Sequence, residues 1–67
     1  MKDYDSERLA YSIADVSEAL DLSKPMIVRL IKSGTLPAFR VGKRWLIPAQ
    51  SLNAWLIKAA NAQRVFE

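Results

Sequence analysis

No cysteine and no histidine occurs in these 67 residues, and that double absence constrains how the chain can hold itself together. Small domains bury comparatively little surface and are often stapled by disulfides or a structural metal. Without thiols or imidazoles this chain has neither staple and must fold on apolar packing. Apolar residues make up 51% and charged residues 25%, which is too apolar for a disordered segment. One small domain over residues 9–67 is expected, preceded by a polar, aperiodic tail over 1–8 that is expected to be mobile. The same absences remove the commonest general base, the thiolate nucleophile and the usual metal ligands, and no glycine loop cradles a phosphate. No enzyme activity, small-molecule substrate, cofactor or metal is therefore expected. No apolar run approaches the ~20 residues that span a bilayer, and the chain opens on alternating charges without an apolar stretch. A cytoplasmic location and no membrane partner follow as expectations.

The net charge of +3 conceals a strong asymmetry. Residues 1–21 carry Lys2 and Arg8 against Asp3, Asp5, Glu7, Asp15, Glu18 and Asp21, a net of −4. Residues 22–44 carry Lys24, Arg29, Lys32, Arg40, Lys43 and Arg44 with no acid, a net of +6. Residues 45–67 return to +1. A one-signed central block is what a phosphate-binding face leaves in a sequence, although a solvated surface leaves the same trace.

The order of elements gives that block a shape. Ser12 and Asp15 form a capping-box-like start with Tyr11 and Val16 in staple positions, and Ile13, Val16 and Leu20 recur at helical spacing. A first helix over 13–20 is expected. Asp21-Leu22-Ser23 interrupts it. Ser23 is a good N-cap for a second helix over 24–33, with Pro25 tolerated in the first turn and Gly34 as a stop. Met26, Ile27, Leu30 and Ile31 fall on one side of that helix; Pro25, Val28, Arg29 and Lys32 fall on the other. Two short helices joined by about three residues make a helix-turn-helix.

From 36 to 47 the composition turns β-branched and aromatic around Gly42-Lys43, which predicts a β-hairpin with Gly42 at the positive φ of a type II′ turn. Across a two-residue loop, Arg40 faces Trp45 with its cation over the indole, and Arg40, Lys43 and Arg44 cluster at the tip. Pro48 then opens a third helix over 49–62, in which Leu52, Trp55, Leu56, Ala59 and Ala62, with Phe66 beyond, recur at three and four residues. Trp45 and Trp55 are expected in the core, and Ile57 points away from the stripe.

On duplex DNA this arrangement has a physical logic. A helix fits the major groove, and a ribbon beside it reaches phosphates or the adjacent minor groove. Arg29 has the fork that matches guanine acceptors, whereas Lys24 and Lys32 suit phosphates. Val28 either packs on a thymine methyl or is simply an exposed valine. The amide-rich helix start at Ser23 and Lys24 can receive a phosphate oxygen.

Over roughly residues 11–57 the chain closely resembles the excisionase family of winged helix-turn-helix proteins, through Tyr-Ser-Ile-Ala-Asp-Val-Ser-Glu-Ala-Leu at 11–20 and most specifically through Ile-Lys-Ser-Gly-Thr-Leu-Pro-Ala-Phe-Arg-Val-Gly-Lys-Arg-Trp at 31–45. That family is related to the DNA-binding domains of MerR-type regulators. The resemblance implies a winged helix-turn-helix, mainly α with a small β-hairpin, in which Ser23, Lys24, Pro25, Val28, Arg29 and Lys32 face DNA from the recognition helix. Arg40, Lys43 and Arg44 would lie on the wing. Asp21 stands where the family usually has glycine, Pro25 and Met26 replace a polar or basic pair, and Val28 replaces a frequent aromatic. The resemblance further implies a recombination directionality factor that binds adjacent sites, bends DNA and steers an integrase toward excision. A chain that is little more than the winged helix looks more like that group than like a full regulator. Its expected partners are double-stranded DNA, further copies of itself contacting through Val65, Phe66 and the end of the third helix, and an integrase. A phage or mobile-element transcriptional regulator is the alternative. A protein-interaction module using Val28, Ile57 and Phe66 is the alternative of another class.

Overall fold

The computed structural model describes residues 8–66. The expectation of a mobile tail lies outside the described residues except at Arg8. The chain runs β1 (Ala10–Ser12), α1 (Ile13–Leu20), α2 (Lys24–Lys32), β2 (Phe39–Val41), β3 (Arg44–Pro48) and α3 (Ala49–Ala62). The three strands form an antiparallel sheet in the order β1-β3-β2, and with the helices they make a winged helix-turn-helix.

The helix starts follow from local hydrogen bonding. At α1 the Ser12 hydroxyl accepts from the Asp15 amide at 3.1 Å, and the Asp15 carboxylate accepts from the Ser12 amide at 3.3 Å. This reciprocal box satisfies two amides that a helix start otherwise leaves orphaned. At α2 the Ser23 hydroxyl accepts from the Met26 amide at 3.3 Å, with Pro25 in the first turn where its missing N–H costs nothing. α2 stops at Lys32, one residue before the expected end, because Ser33 serves as its cap.

All three helices end on one device. A left-handed residue follows the last turn: Asp21 (φ 57°), Gly34 (φ 79°) and Gln63 (φ 52°). The next amide in each case reaches back to a carbonyl of the last turn: Leu22 to Ser17, Thr35 to Leu30 and Arg64 to Ala59. These are Schellman closures, and they satisfy carbonyls that the helix cannot.

The core collects Tyr11, Val16, Ile27, Leu30, Ile31, Leu36, Ile47 and Leu52 from every element but β2 and from the turn after α2. Ile27 and Ile47 have 0% exposure, and a side chain buried that fully contributes about 2 kcal/mol from apolar transfer. Trp45 and Trp55 depart from expectation: both are half-buried and pack against the outside of this aliphatic cluster. A chain of this size closes its centre with branched aliphatics, and an indole is too large to be enclosed.

Three further differences concern the sheet and the end of α3. β1 was not anticipated; it pairs Tyr11 with Ile47 and Ser12 with Leu46, far along the chain. The hairpin is shorter than 36–47, because Leu36 is buried in the turn where its amide donates to the Leu30 carbonyl, and β2 starts only at Phe39. Ala62 is exposed, and Phe66 returns outside the helix to pack on Trp55, with ring centroids 5.3 Å apart. No helix among the described residues is long and apolar enough to cross a membrane.

Candidate nucleic-acid interface

The turn between α1 and α2 sets how the second helix is presented. Asp21 takes the left-handed conformation, its amide bonded to Glu18 and Ser17 carbonyls, and the Ser17 hydroxyl donates to the Leu22 carbonyl across the turn. Aspartate tolerates that region better than most residues, so the turn forms without glycine. α2 then buries Ile27, Leu30 and Ile31 and exposes Lys24, Pro25, Arg29 and Lys32. At 3.6 residues per turn the outward positions 24, 28, 32, 25 and 29 fill an arc of roughly 140°. Val28 sits within that arc and is half-buried between cations on both sides.

Ser23 does two things at the start of this face. Its hydroxyl occupies the Met26 amide, and its carbonyl receives the Met26 and Ile27 amides at 3.1 and 3.2 Å. Pro25 has no amide hydrogen. Of the amide-rich start, the N–H groups of Ser23 and Lys24 are the ones left to meet an oxygen from outside. No acidic residue stands in the first turn of α2, while Arg29 and Lys32 occupy its last turn, where cations oppose the partial negative charge of the helix end.

The hairpin has the expected two-residue loop. Val41 pairs with Arg44 and Arg40 with Trp45, so Gly42 and Lys43 make the turn. Gly42 has φ 62° while Lys43 stays out of the positive-φ region, the pattern of a type II′ turn. Side chains alternate across a strand, so Arg40 and Trp45 share the sheet face that carries the buried Ile47. Val41 and Arg44 share the opposite face. The three wing cations thus surround the tip on both faces and at the turn, and all three are exposed. The Arg40 guanidinium lies 5.7 Å from the Trp45 ring centroid, as the pairing predicts.

None of the six cations of 22–44 is ion-paired to another described residue. Arg8 behaves differently. Its Nη2 is 2.7 Å from Asp15 Oδ2 and its guanidinium lies 5.0 Å from the Tyr11 centroid, which ties the segment before β1 onto α1. Neither β1 nor this clasp was read from the sequence; the only local signal is an arginine seven residues before the capping-box acid.

A model of the helix-turn-helix domain family matches residues 10–60 of the chain. The chain belongs to the helix-turn-helix domain family. The two-helix unit of that family is here the α1-turn-α2 segment described above. Uncharacterized protein YvgK of Bacillus subtilis (strain 168) is 36% identical over 60 residues, which cover 90% of this helix-turn-helix chain and 20% of that protein. The chain spans a fifth of the length of the curated relative it matches. No solved structure matches it.

Proposed function

We propose that α2 lies in the major groove of a specific duplex site and that the hairpin tip follows as a wing on the phosphates or in the adjacent minor groove. The observation that carries this reading is the placing of Lys24, Arg29, Lys32, Arg40, Lys43 and Arg44 on two consecutive elements, α2 and the hairpin, all six exposed and with no carboxylate among the described residues paired to any of them. Unpaired surface cations in that arrangement displace condensed counterions from DNA, a gain that grows with each phosphate contacted. Arg29 takes the base-reading role because its planar fork matches guanine N7 and O6. Lys24 and Lys32 take phosphates, Ser23 anchors the helix start on a phosphate oxygen, and Val28 with Pro25 offers the apolar surface for a thymine methyl. Arg40, Lys43 and Arg44 serve the wing.

The finer reading is an excisionase-like recombination directionality factor. It rests on the resemblance of residues 11–20 and 31–45 to that family, which is related to MerR-type DNA-binding domains. In this role the chain acts without catalysis. Neutralised phosphates and groove contacts offset the elastic cost of bent DNA, and neighbouring copies favour one another's binding before an integrase is engaged. For contacts between copies, Val65 is the accessible part of the end segment, at 80% exposure, since Phe66 is occupied by Trp55. The alternative reading is a small phage or mobile-element transcriptional regulator.

Fluorescence anisotropy on the DNA flanking the gene, against a scrambled duplex and across a salt series, tests the first step. Preference for the flanking duplex with a steep salt slope is the expected result, and no binding at low salt would overturn it. An excision reaction reconstituted with the cognate integrase, beside a promoter reporter, then separates the two roles: a directionality factor raises excision and leaves the reporter unchanged.

A further inference from the structure

α3 and the turn after α2 border an open cleft of about 560 Å³ that shares no residue with the DNA-facing set. Such a volume falls in the range of ligand clefts, roughly 300–1,000 Å³. One wall is the turn through Gly34, Thr35 and Pro37; the other is the stripe of α3 through Ser51, Trp55 and Lys58. Those α3 positions recur at four and three residues and therefore face one way. Arg64 closes the rim.

Three observations define what such a cleft accepts. Its two ionic groups, Lys58 and Arg64, are both cations, both exposed, and neither is ion-paired to another described residue. Its largest apolar surface is the half-buried Trp55 indole. The Arg64 side chain is also held in place. Gln63 turns left-handed, the segment 64–66 folds back, the Arg64 guanidinium rests 4.9 Å from the Phe66 centroid, and Phe66 rests on Trp55. A cation fixed before binding loses less side-chain entropy on capture of an anion.

We propose that this cleft is a docking site for a short acidic peptide segment of a partner protein, with an apolar side chain against Trp55 and carboxylates on Lys58 and Arg64. The charge of the rim sets the sign of the partner. The concave shape, with an aromatic ring in its lining, selects an extended chain over a duplex, whose backbone meets a convex or flat surface and offers nothing apolar to an indole. A partner bound here leaves α2 and the hairpin tip free, so DNA and the acidic segment bind together.

The two tryptophans supply the test, because Trp55 borders the cleft and Trp45 lies on the sheet beside Arg40. The full chain, labelled with 15N, is titrated with a capped Asp-Glu-Leu-Asp-Glu peptide while both indole N–H signals are followed. The expected result is a saturable shift of Trp55 with Trp45 unmoved, and affinity at least tenfold weaker in the double variant K58E/R64E. Ala54→Glu places an acid in the cleft one helical turn before Lys58, where it competes with the peptide for that ammonium, and a loss of the same sign is expected there. Absence of a saturable Trp55 shift overturns the proposal. So does equal binding of Lys-Arg-Leu-Lys-Arg or of the peptide with serine in place of leucine. A Trp55 shift driven by duplex DNA and abolished in K58E/R64E would assign the cleft to phosphates instead.

Discussion

Arg40 and Trp45 are directly opposed across the hairpin, and the guanidinium carbon lies 5.7 Å from the indole centroid. The indole also packs against the aliphatic cluster, so it links the wing cation to the core. Arginine is suited to this position because its plane can lie on an aromatic face and still present N–H groups outward. Arg40→Lys keeps the charge and loses the stack. The salt slope of DNA binding should stay unchanged while affinity falls by about 0.5–1 kcal/mol, read by anisotropy at two salt concentrations.

On α2, Arg29 and Lys32 are three residues apart on the same exposed arc, yet they are expected to fail in different ways. Arg29→Ala should cost about 1–3 kcal/mol on the preferred duplex and flatten the preference between that duplex and variants at one base pair. Lys32→Ala should weaken all duplexes alike and lower the salt slope by about one. A competition series over single-base variants of the site distinguishes these patterns.

Ile27 is fully buried on the inner side of the same helix. Ile27→Ala removes three methyl or methylene groups from the centre of a very small core, a change that typically costs 2–5 kcal/mol in larger proteins. A domain of this size has on the order of 3–5 kcal/mol to lose. Circular dichroism at 25 °C should show the variant largely unfolded, with DNA binding restoring part of its helix signal by mass action.

The left-handed positions give a pair of substitutions of opposite sign. A Cβ added at Gly42 meets nothing within 4 Å, so the cost of Gly42→Ala is conformational alone, about 1–3 kcal/mol. Gln63→Gly relieves the milder strain of a left-handed residue at φ 52° and should gain about 0.5 kcal/mol after the entropy of a new glycine is discounted. Urea unfolding of the two variants beside the parent should move the midpoint in opposite directions.

Much of this architecture was legible because its signals are local. Ser12 with Asp15, Ser23 with Pro25, and Gly34 and Gly42 each announce a boundary within four residues, and the outward cations of α2 follow from helical periodicity. The pairing of Arg40 with Trp45 required only the assumption of a two-residue turn. What was missed depends on distant contacts. Three residues, Ala10–Ser12, carry no alternation long enough to mark a strand, and they become one because Leu46, Ile47 and Pro48 lie beside them. Leu36 reads as the start of a β-rich stretch, yet the Schellman closure at Gly34 drops it into the core. The tryptophans were overvalued as core residues because size alone does not say which position is enclosed. Phe66 is aligned with the α3 stripe in number, but the helix stops at Ala62 and the ring arrives by a turn.

Ser12 is at once the last residue of β1, paired with Leu46, and the N-cap of α1; Pro48 is at once the last residue of β3 and the N-cap of α3. No residue of slack separates sheet from helix at either junction. The hairpin is in this way fixed to α1, and α2 packs on α1, so helix and hairpin share one frame like the jaws of a caliper with its screw locked. A duplex gripped by both jaws would have to bring its groove and its backbone to a preset gap. Sequences that flex easily at base pairs the protein never touches would then be the ones it holds best.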